Sequence, residues 1–163
     1  MTELIVEFAD DPERLGMLAE LLRQYVVEQG WASEPLHVEE IETLPGEYAA
    51  PRGRAFVVRD RLAVAAPAVG CVLLRPVERW CVDCVEMRRL YVVPETRGRG
   101  IGRRMVEAGE SWAREVGYRR LRLVTLPHMR EAISLYGNLG FSVVEPYRPS
   151  TAPDAIFMDK PLD

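Results

Sequence analysis

The first part of the chain shows a helical pattern of apolar residues. They recur every three or four positions, at Leu15, Leu18, Leu22 and Val26. Asp11 and Pro12 form a helix-start signal and Gly30 ends the pattern, so an amphipathic helix is predicted between them. The short run Leu4 to Phe8 that precedes it is β-prone. Residues 31 to 53 contain several prolines and glycines, which predict a broken second helix with loops.

Strand patterns dominate the middle and the end of the chain. The predicted strands are Ala55 to Val58, Ala68 to Leu74, Val82 to Val93, Leu121 to Thr125, Phe141 to Val144 and Ile156 to Met158. Two more helices are predicted, over Ile101 to Val116 and Met129 to Leu139, each stopped by a glycine. This order predicts one mixed α/β domain over residues 1–163. Its three central strands form an antiparallel meander, and one strand, helix, strand crossover implies a locally parallel pair.

A glycine-rich segment, Arg97-Gly98-Arg99-Gly100-Ile101-Gly102-Arg103, lies between a predicted strand and a predicted helix. Glycines there let backbone N–H groups converge, and the helix start adds unpaired donors and the positive end of its dipole. The segment therefore predicts a pyrophosphate site. Its three arginines would add charge, although each is equally compatible with a solvated surface position. The segment lacks the lysine of ATPase loops, and Arg103 stands where the dinucleotide fingerprint needs its third glycine.

The pattern Arg-x-x-Gly-x-Gly, formed by Arg97, Gly100 and Gly102, resembles the coenzyme A loop of the GNAT family of N-acetyltransferases. Leu90 to Pro94 resembles the family's fourth strand, and Ala132 to Phe141 is similar to its final helix and following strand. Together these signals cover about residues 55 to 160. The resemblance implies the acyl-CoA N-acyltransferase fold: a mixed, mostly antiparallel central sheet with helices on both faces and splayed fourth and fifth strands.

The resemblance also implies acetyl-CoA as cosubstrate and assigns residues to its site. Main-chain groups of the fourth strand would bind the pantetheine arm, and the glycine-rich loop would bind the pyrophosphate. The implied binding residues are Leu90, Val92, Arg97, Gly98, Arg99, Gly100, Gly102 and Arg103. Tyr136 resembles the tyrosine that donates a proton to the departing thiolate. The alternative for Tyr136 is an aromatic packing residue on the last helix.

Glu86 matches the strand position that carries the general base in histone-acetylating relatives. By period-two alternation it would share a strand face with Arg88, Leu90 and Val92. A carboxylate partly removed from water there would have a raised pKa and could accept the proton of the amine. The alternative is an ion pair with Arg88 or another strand arginine.

Charge and hydropathy narrow the range of partners. The net charge is −4, so there is no general basic field for nucleic acid. No apolar run has the roughly 20 residues that span a bilayer, and the start Met1-Thr2-Glu3 does not resemble an export signal, so a cytoplasmic protein without membrane contact is expected.

Three cysteines without an export signal predict free thiols. The Cys81 and Cys84 pair lies in a strand-like stretch, which argues against a redox dithiol. Metal is not expected, since the other soft or imidazole ligands have no characteristic spacing.

The acceptor is expected to be an amine of a small molecule or a protein. The resemblance implies that residues 25 to 48 and 145 to 154 bind it. Acidic residues beside aromatics in these segments would suit a cationic amine, although a charge run is more often a solvated helix face. The alternative function is a non-catalytic acyl-CoA-binding regulatory module, which would need the loop but not Tyr136. A homodimer is one of the oligomeric states that the sequence leaves open.

Overall fold

The computed structural model describes residues 2–63 and 65–163 and contains seven strands and four helices in the predicted order. The strands are β1 (Leu4–Phe8), β2 (Arg54–Asp60), β3 (Gly70–Pro76), β4 (Cys84–Val92), β5 (Arg120–Thr125), β6 (Ser142–Val144) and β7 (Ile156–Pro161). The helices are α1 (Pro12–Gln29), α2 (Pro35–Glu42), α3 (Ile101–Val116) and α4 (Arg130–Asn138). Within the described ranges, no helix is long and apolar enough to cross a membrane.

All seven strands form one sheet in the order β1-β2-β3-β4-β5-β7-β6. Neighbouring strands are antiparallel except β4 and β5, which are parallel and are joined through α3. The predicted meander and the predicted parallel pair are therefore both confirmed.

A core lies on each face of the sheet. On one face α3 and α4 pack over β4 and β5, with Met105 and Leu121 completely buried. On the other face α1 packs through Leu18 and Leu22, two of the residues that carried its helical pattern. The side chain of Asp11 caps α1 by accepting the N–H of Arg14 at 2.9 Å.

A β-bulge interrupts β4. Leu73 of β3 pairs with Arg88, but Cys71 pairs with Tyr91, so β4 has one extra residue in this stretch, and Arg89 has a positive φ of 57°. The bulge reverses the alternation of side chains along β4. The prediction that Glu86 shares a face with Leu90 and Val92 is therefore wrong. Leu90 and Val92 pack with the core under α3 and α4, whereas the side chain of Glu86 lies on the opposite face.

The expectation of three free thiols is wrong for two of them. Cys81 and Cys84 form a disulfide, with Cα atoms 5.3 Å apart, while Cys71 is free and buried. The predicted strand began at Val82, but β4 begins only at Cys84. A tight turn precedes it, in which the N–H of Cys81 donates to the carbonyl of Val77 at 2.9 Å. This turn brings the two cysteines within bonding range.

Candidate active site

The parallel strands β4 and β5 separate soon after they meet. They pair only from Cys84 with Arg120 to Glu86 with Arg122. Beyond these pairs the two strands splay, as the resemblance implied, and a cleft of about 760 Å³ opens between them. The predicted residues Leu90 and Val92 line it, together with the loop before α3 and part of α4. Backbone groups of β4 that face away from β3 are therefore available to an extended ligand.

The N-terminus of α3 closes one end of this cleft. Gly100 is its N-cap residue, with φ of 74°, and no side chain caps the helix. The first backbone N–H groups of α3 are thus free to bind an anion at the positive end of the helix dipole. Gly102 has a different reason to be glycine: a Cβ there would lie 3.3 Å from Cδ2 of Leu135 on α4. These features fit the pyrophosphate of a coenzyme.

The loop arginines contribute less free charge than their sequence suggests. Nη2 of Arg97 binds both carboxylate oxygens of Glu28 at 2.8 and 2.9 Å, and its Nε donates to the Val92 carbonyl at 2.9 Å. Arg103 lines the cleft but pairs with Glu107 one turn along α3. Arg97 therefore also ties the loop to α1.

The other predicted loop residues differ in position. Gly98 lines the cleft with φ of 82°, whereas Arg99 is exposed and is not among the lining residues. Sequence reasoning missed His128 and Arg130, which also line the cleft. They lie in the β5–α4 connection, and only the folded chain brings this connection to the coenzyme end of the cleft.

Tyr136 lies on α4 and its side chain lines the same cleft while being only 7% exposed. Its ring packs against Phe141 at a centroid distance of 5.7 Å. No protein partner of its hydroxyl is found within residues 2–63 and 65–163. Burial, with a smaller contribution from Tyr25, raises the pKa of Tyr136 above its ordinary value. The phenol therefore remains protonated and can act as a donor.

A second cavity, of about 370 Å³, opens on the other side of the splayed strands. It borders the coenzyme cleft, because the two cavities share the lining residues Tyr25, Arg88, Arg89, Val124, Thr125 and Met129. Its lining residues include Trp31, Glu34 and His37 from the segment around the start of α2, and residues 150–152 from the connection between β6 and β7. The second cavity is therefore placed to hold an acceptor beside the coenzyme.

Glu86 is among the residues that line the second cavity, and it is completely buried. Its carboxylate accepts hydrogen bonds from Arg75 at 2.8 Å, from Nε of Arg148 at 2.7 Å and from the hydroxyl of Tyr147 at 2.6 Å. Burial would raise the pKa of Glu86, but the hydrogen bond from Arg148, the charge of Arg75 and the hydrogen bond from Tyr147 outweigh it and lower the pKa. The expectation of a raised pKa is therefore wrong.

A second carboxylate, that of Glu40 on α2, is 17% exposed and binds two arginines that line the cavity. It accepts from Nε of Arg89 at 2.8 Å, from Nη1 of Arg88 at 3.2 Å and from the hydroxyl of Tyr48 at 3.3 Å. Burial opposes ionisation of Glu40, but Arg89 and Arg88 lower its pKa. These contacts join α2 to the bulged part of β4. Glu40 and Glu86 are thus already paired with arginines.

His37 lies on the wall of the second cavity, and its ring stacks on Trp31 with centroids 5.1 Å apart and planes 8° apart. Its Nδ1 is 3.1 Å from a carboxylate oxygen of Glu34. Burial and the charge of Arg89 lower the pKa of His37, and Glu34 opposes them only in part. The imidazole is therefore mainly neutral at pH 7. Its sequence pattern did not distinguish it from other polar residues of α2.

A splayed parallel strand pair that ends at an uncapped, glycine-rich helix N-terminus, with a second cavity alongside, defines an acyl-coenzyme A N-acyltransferase. The family model described as the acetyltransferase (GNAT) family matches residues 16–141. The chain belongs to this family and is an acetyl-CoA-dependent N-acetyltransferase.

Individual relatives agree with this assignment. An uncharacterized N-acetyltransferase of Schizosaccharomyces pombe is 32% identical over 90% of this chain and 88% of its own. An acetyltransferase of the GNAT family from Staphylococcus aureus superposes with a TM-score of 0.79 at 14% identity, over 99% of this chain and 100% of its own. The PaiA N-acetyltransferase of Thermoplasma acidophilum, in complex with coenzyme A, has a TM-score of 0.73 at 19% identity, over 98% and 99% of the two chains. The structural likenesses show the fold.

Proposed function

We propose that the protein transfers the acetyl group of acetyl-CoA to a primary amine by direct attack in a ternary complex. The observation that carries this proposal is the contact between the two cavities at the splay of β4 and β5. A coenzyme in the first cavity and an amine in the second would meet there without an enzyme-bound acyl group. In this arrangement the N-terminus of α3 holds the pyrophosphate, and the free backbone edge at Leu90 and Val92 holds the pantetheine arm.

Tyr136 is the proposed general acid. It lies on the coenzyme side of the splay and stays protonated, because burial raises its pKa. A thiol has a pKa of about 8.5, so a phenol beside the sulfur gives up its proton only when negative charge develops there. The proton then moves from the Tyr136 hydroxyl to the sulfur of the departing coenzyme.

For Glu86 we propose the second of the two roles that the sequence allowed. A carboxylate that is fully hydrogen-bonded and has a lowered pKa is a poor proton acceptor at neutral pH. Its position instead suits an anion that positions Arg148 and Tyr147 at the acceptor cavity.

His37 is the better candidate for the base. Its imidazole is in the wall of the acceptor cavity, is neutral at pH 7 and has Glu34 beside Nδ1 to stabilise the charged form. In this proposal the neutral ring accepts the proton that the amine loses as it attacks.

A screen of purified protein against amines tests the proposed function. Free coenzyme thiol and the mass of the acetylated amine are measured together, with acetyl-CoA as donor. We expect thiol release only with the accepted amine, and one acetylated product for each thiol. Coenzyme binding without transfer to any amine would favour a regulatory module.

A further inference from the structure

The charges around the acceptor cavity are unequal. Arg88, Arg89 and Arg148 line it, and Arg75 binds the lining residue Glu86; the side chains of these four arginines are only 11% to 22% exposed. They share two carboxylates, that of the completely buried Glu86 and that of Glu40, which is 17% exposed. The carboxylates of Glu34 and Glu47 are 54% and 55% exposed, so water and salt screen them. Four largely buried positive charges thus share two largely buried negative charges, which leaves an excess of positive charge.

Arg88 has the largest unused hydrogen-bonding capacity. Its Nη1 donates to Glu40 and to the Tyr48 hydroxyl, at 3.2 and 3.0 Å. Its Nε is 3.8 Å from Glu86, beyond hydrogen-bond distance, and no acceptor for Nε or Nη2 is found in the described part of the chain. Arg88 lines both cavities. A guanidinium with two free donors on one edge is the geometry that binds a carboxylate in bidentate fashion.

The other two arginines that line the cavity, Arg89 and Arg148, already use their Nε and Nη2 hydrogen-bond donors. Arg89 donates through Nε and Nη2 to Glu40, at 2.8 and 3.3 Å. Arg148 binds Glu86 through Nε and Nη2 and the carbonyl of Pro149 through Nη1. Arg89 and Arg148 therefore add positive potential to the cavity, whereas Arg88 also offers it free hydrogen-bond donors.

We infer that the acceptor is a small-molecule amine that also carries a carboxylate, such as a free amino acid, and that Arg88 binds this carboxylate. The inference rests on the proposed acetyl transfer and names its substrate class. A volume of about 370 Å³ suits a small molecule. A cationic amine without an acidic group would meet the unbalanced arginines, since the nearby buried carboxylates are already paired.

The test compares the protein amino acids with the amines that lack only their carboxylate, at saturating acetyl-CoA. We expect kcat/KM for the best amino acid to exceed that of its matched amine by about 10- to 100-fold, the value of charge-assisted hydrogen bonds. Arg88→Gln should reduce this ratio to near 1. Arg23→Gln, at an exposed arginine of α1, is the matched control and should keep the ratio. Arg88→Lys should restore part of it, since the charge returns without the bidentate geometry.

Binding is measured separately, as the further rise in melting temperature when each compound is added to the protein with coenzyme A. Equal kcat/KM for the amino acids and their matched amines would overturn the inference, but the proposed acetyl transfer would still stand. If the melting temperature rises more with the amino acids than with the matched amines, but no acetyl group is transferred, the carboxylate site stands and the proposed function is overturned. Preference for peptides with acidic N-termini over free amino acids would also overturn the inference. A coenzyme-induced rise in Arg88→Gln shows that the variant is folded.

Discussion

At the scale of single residues, Tyr136 carries the most direct test of the chemistry. Tyr136→Phe keeps the ring and its packing on Phe141 but removes the proton. We expect kcat and kcat/KM to fall by roughly 10²-fold, the low end of the 10²- to 10⁴-fold range for a positioned acid, because thiolate is a tolerable leaving group. Steady-state rates and coenzyme affinity are measured on the same preparation. A variant with wild-type turnover and unchanged affinity would reduce Tyr136 to a packing residue.

Glu86 is expected to contribute to stability more than to proton transfer. Glu86→Gln leaves Arg148 without its anion and Arg75 with only the exposed Glu47, so the free energy of unfolding should fall by about 3 kcal/mol at pH 7. Urea unfolding measures this loss. Glu115→Gln, at an exposed carboxylate of α3, is the control and should change stability by less than about 0.5 kcal/mol.

The pH dependence of that stabilisation has a defined sign. The pKa of folded Glu86 lies below its ordinary value of 4.5. Its contribution is therefore complete above pH 4.5 and is lost as the pH falls through the lower folded value. The gap between the wild type and Glu86→Gln should narrow only in acid. A gap that instead widens as the pH falls through about 6 would show that the pKa of folded Glu86 is raised, and it would support the role of base.

His37 has a pKa lowered from 6.5, and its neutral form is the proposed base. The value of kcat/KM should therefore fall as the pH drops through a point below 6.5, and His37→Gln should lack this step and be slower at pH 7. His128→Gln changes the only other histidine. Because His128 lines the coenzyme cleft, this variant is compared only by its pH profile, which should keep the step. An unchanged pH profile in His37→Gln would exclude the imidazole as base.

The sequence could identify some site residues but not their surroundings. Tyr136 and the glycines lie in short local motifs, so their place at the cleft was predictable. The side of the sheet on which the Glu86 side chain lies was not predictable, because the bulge at Arg89 depends on the pairing of β4 with β3. The arginines that hold Glu86 come from positions 75 and 148, and no local spacing connects them.

At the scale of elements, α3 offers a controlled test of the anion site. Both of its ends carry a glycine with positive φ, 74° at Gly100 and 105° at Gly117, and a Cβ at either meets nothing within 4 Å. Gly100→Glu and Gly117→Glu should therefore cost similar stability, about 1 kcal/mol each. Only Gly100→Glu should abolish coenzyme binding, since its charge opposes the pyrophosphate. Calorimetric titration with acetyl-CoA measures this, and equal affinities would remove the loop from the site.

Element boundaries were predictable where capping signals mark them. Helix α3 runs over the predicted residues because glycines flank it, and α1 begins at the predicted cap. The start of β4 was not predictable, since the apolar Val82 belongs to the turn that carries the disulfide. Alternation alone does not separate an extended turn from a strand.

At the scale of the whole molecule, the order of elements and the parallel pair followed from the sequence, and the family resemblance added the splay. The resemblance also implied that residues 25 to 48 and 145 to 154 bind the acceptor, and both segments line the second cavity. The charge balance of that cavity was not predictable, because its arginines and carboxylates come from segments that are far apart in the sequence. The sequence favoured a cationic acceptor because it shows Glu40 without its arginine partners, Arg88 and Arg89.

The most direct test of the central claim is the melting temperature of the whole protein with acetyl-CoA. A ligand that binds only the folded state stabilises it, by about 2.7 kcal/mol at 100 times its Kd. Millimolar acetyl-CoA should therefore raise the melting temperature clearly, and NAD or ATP at the same concentration should do much less. An unmoved transition with acetyl-CoA, together with a shift by NAD or ATP, would contradict the account.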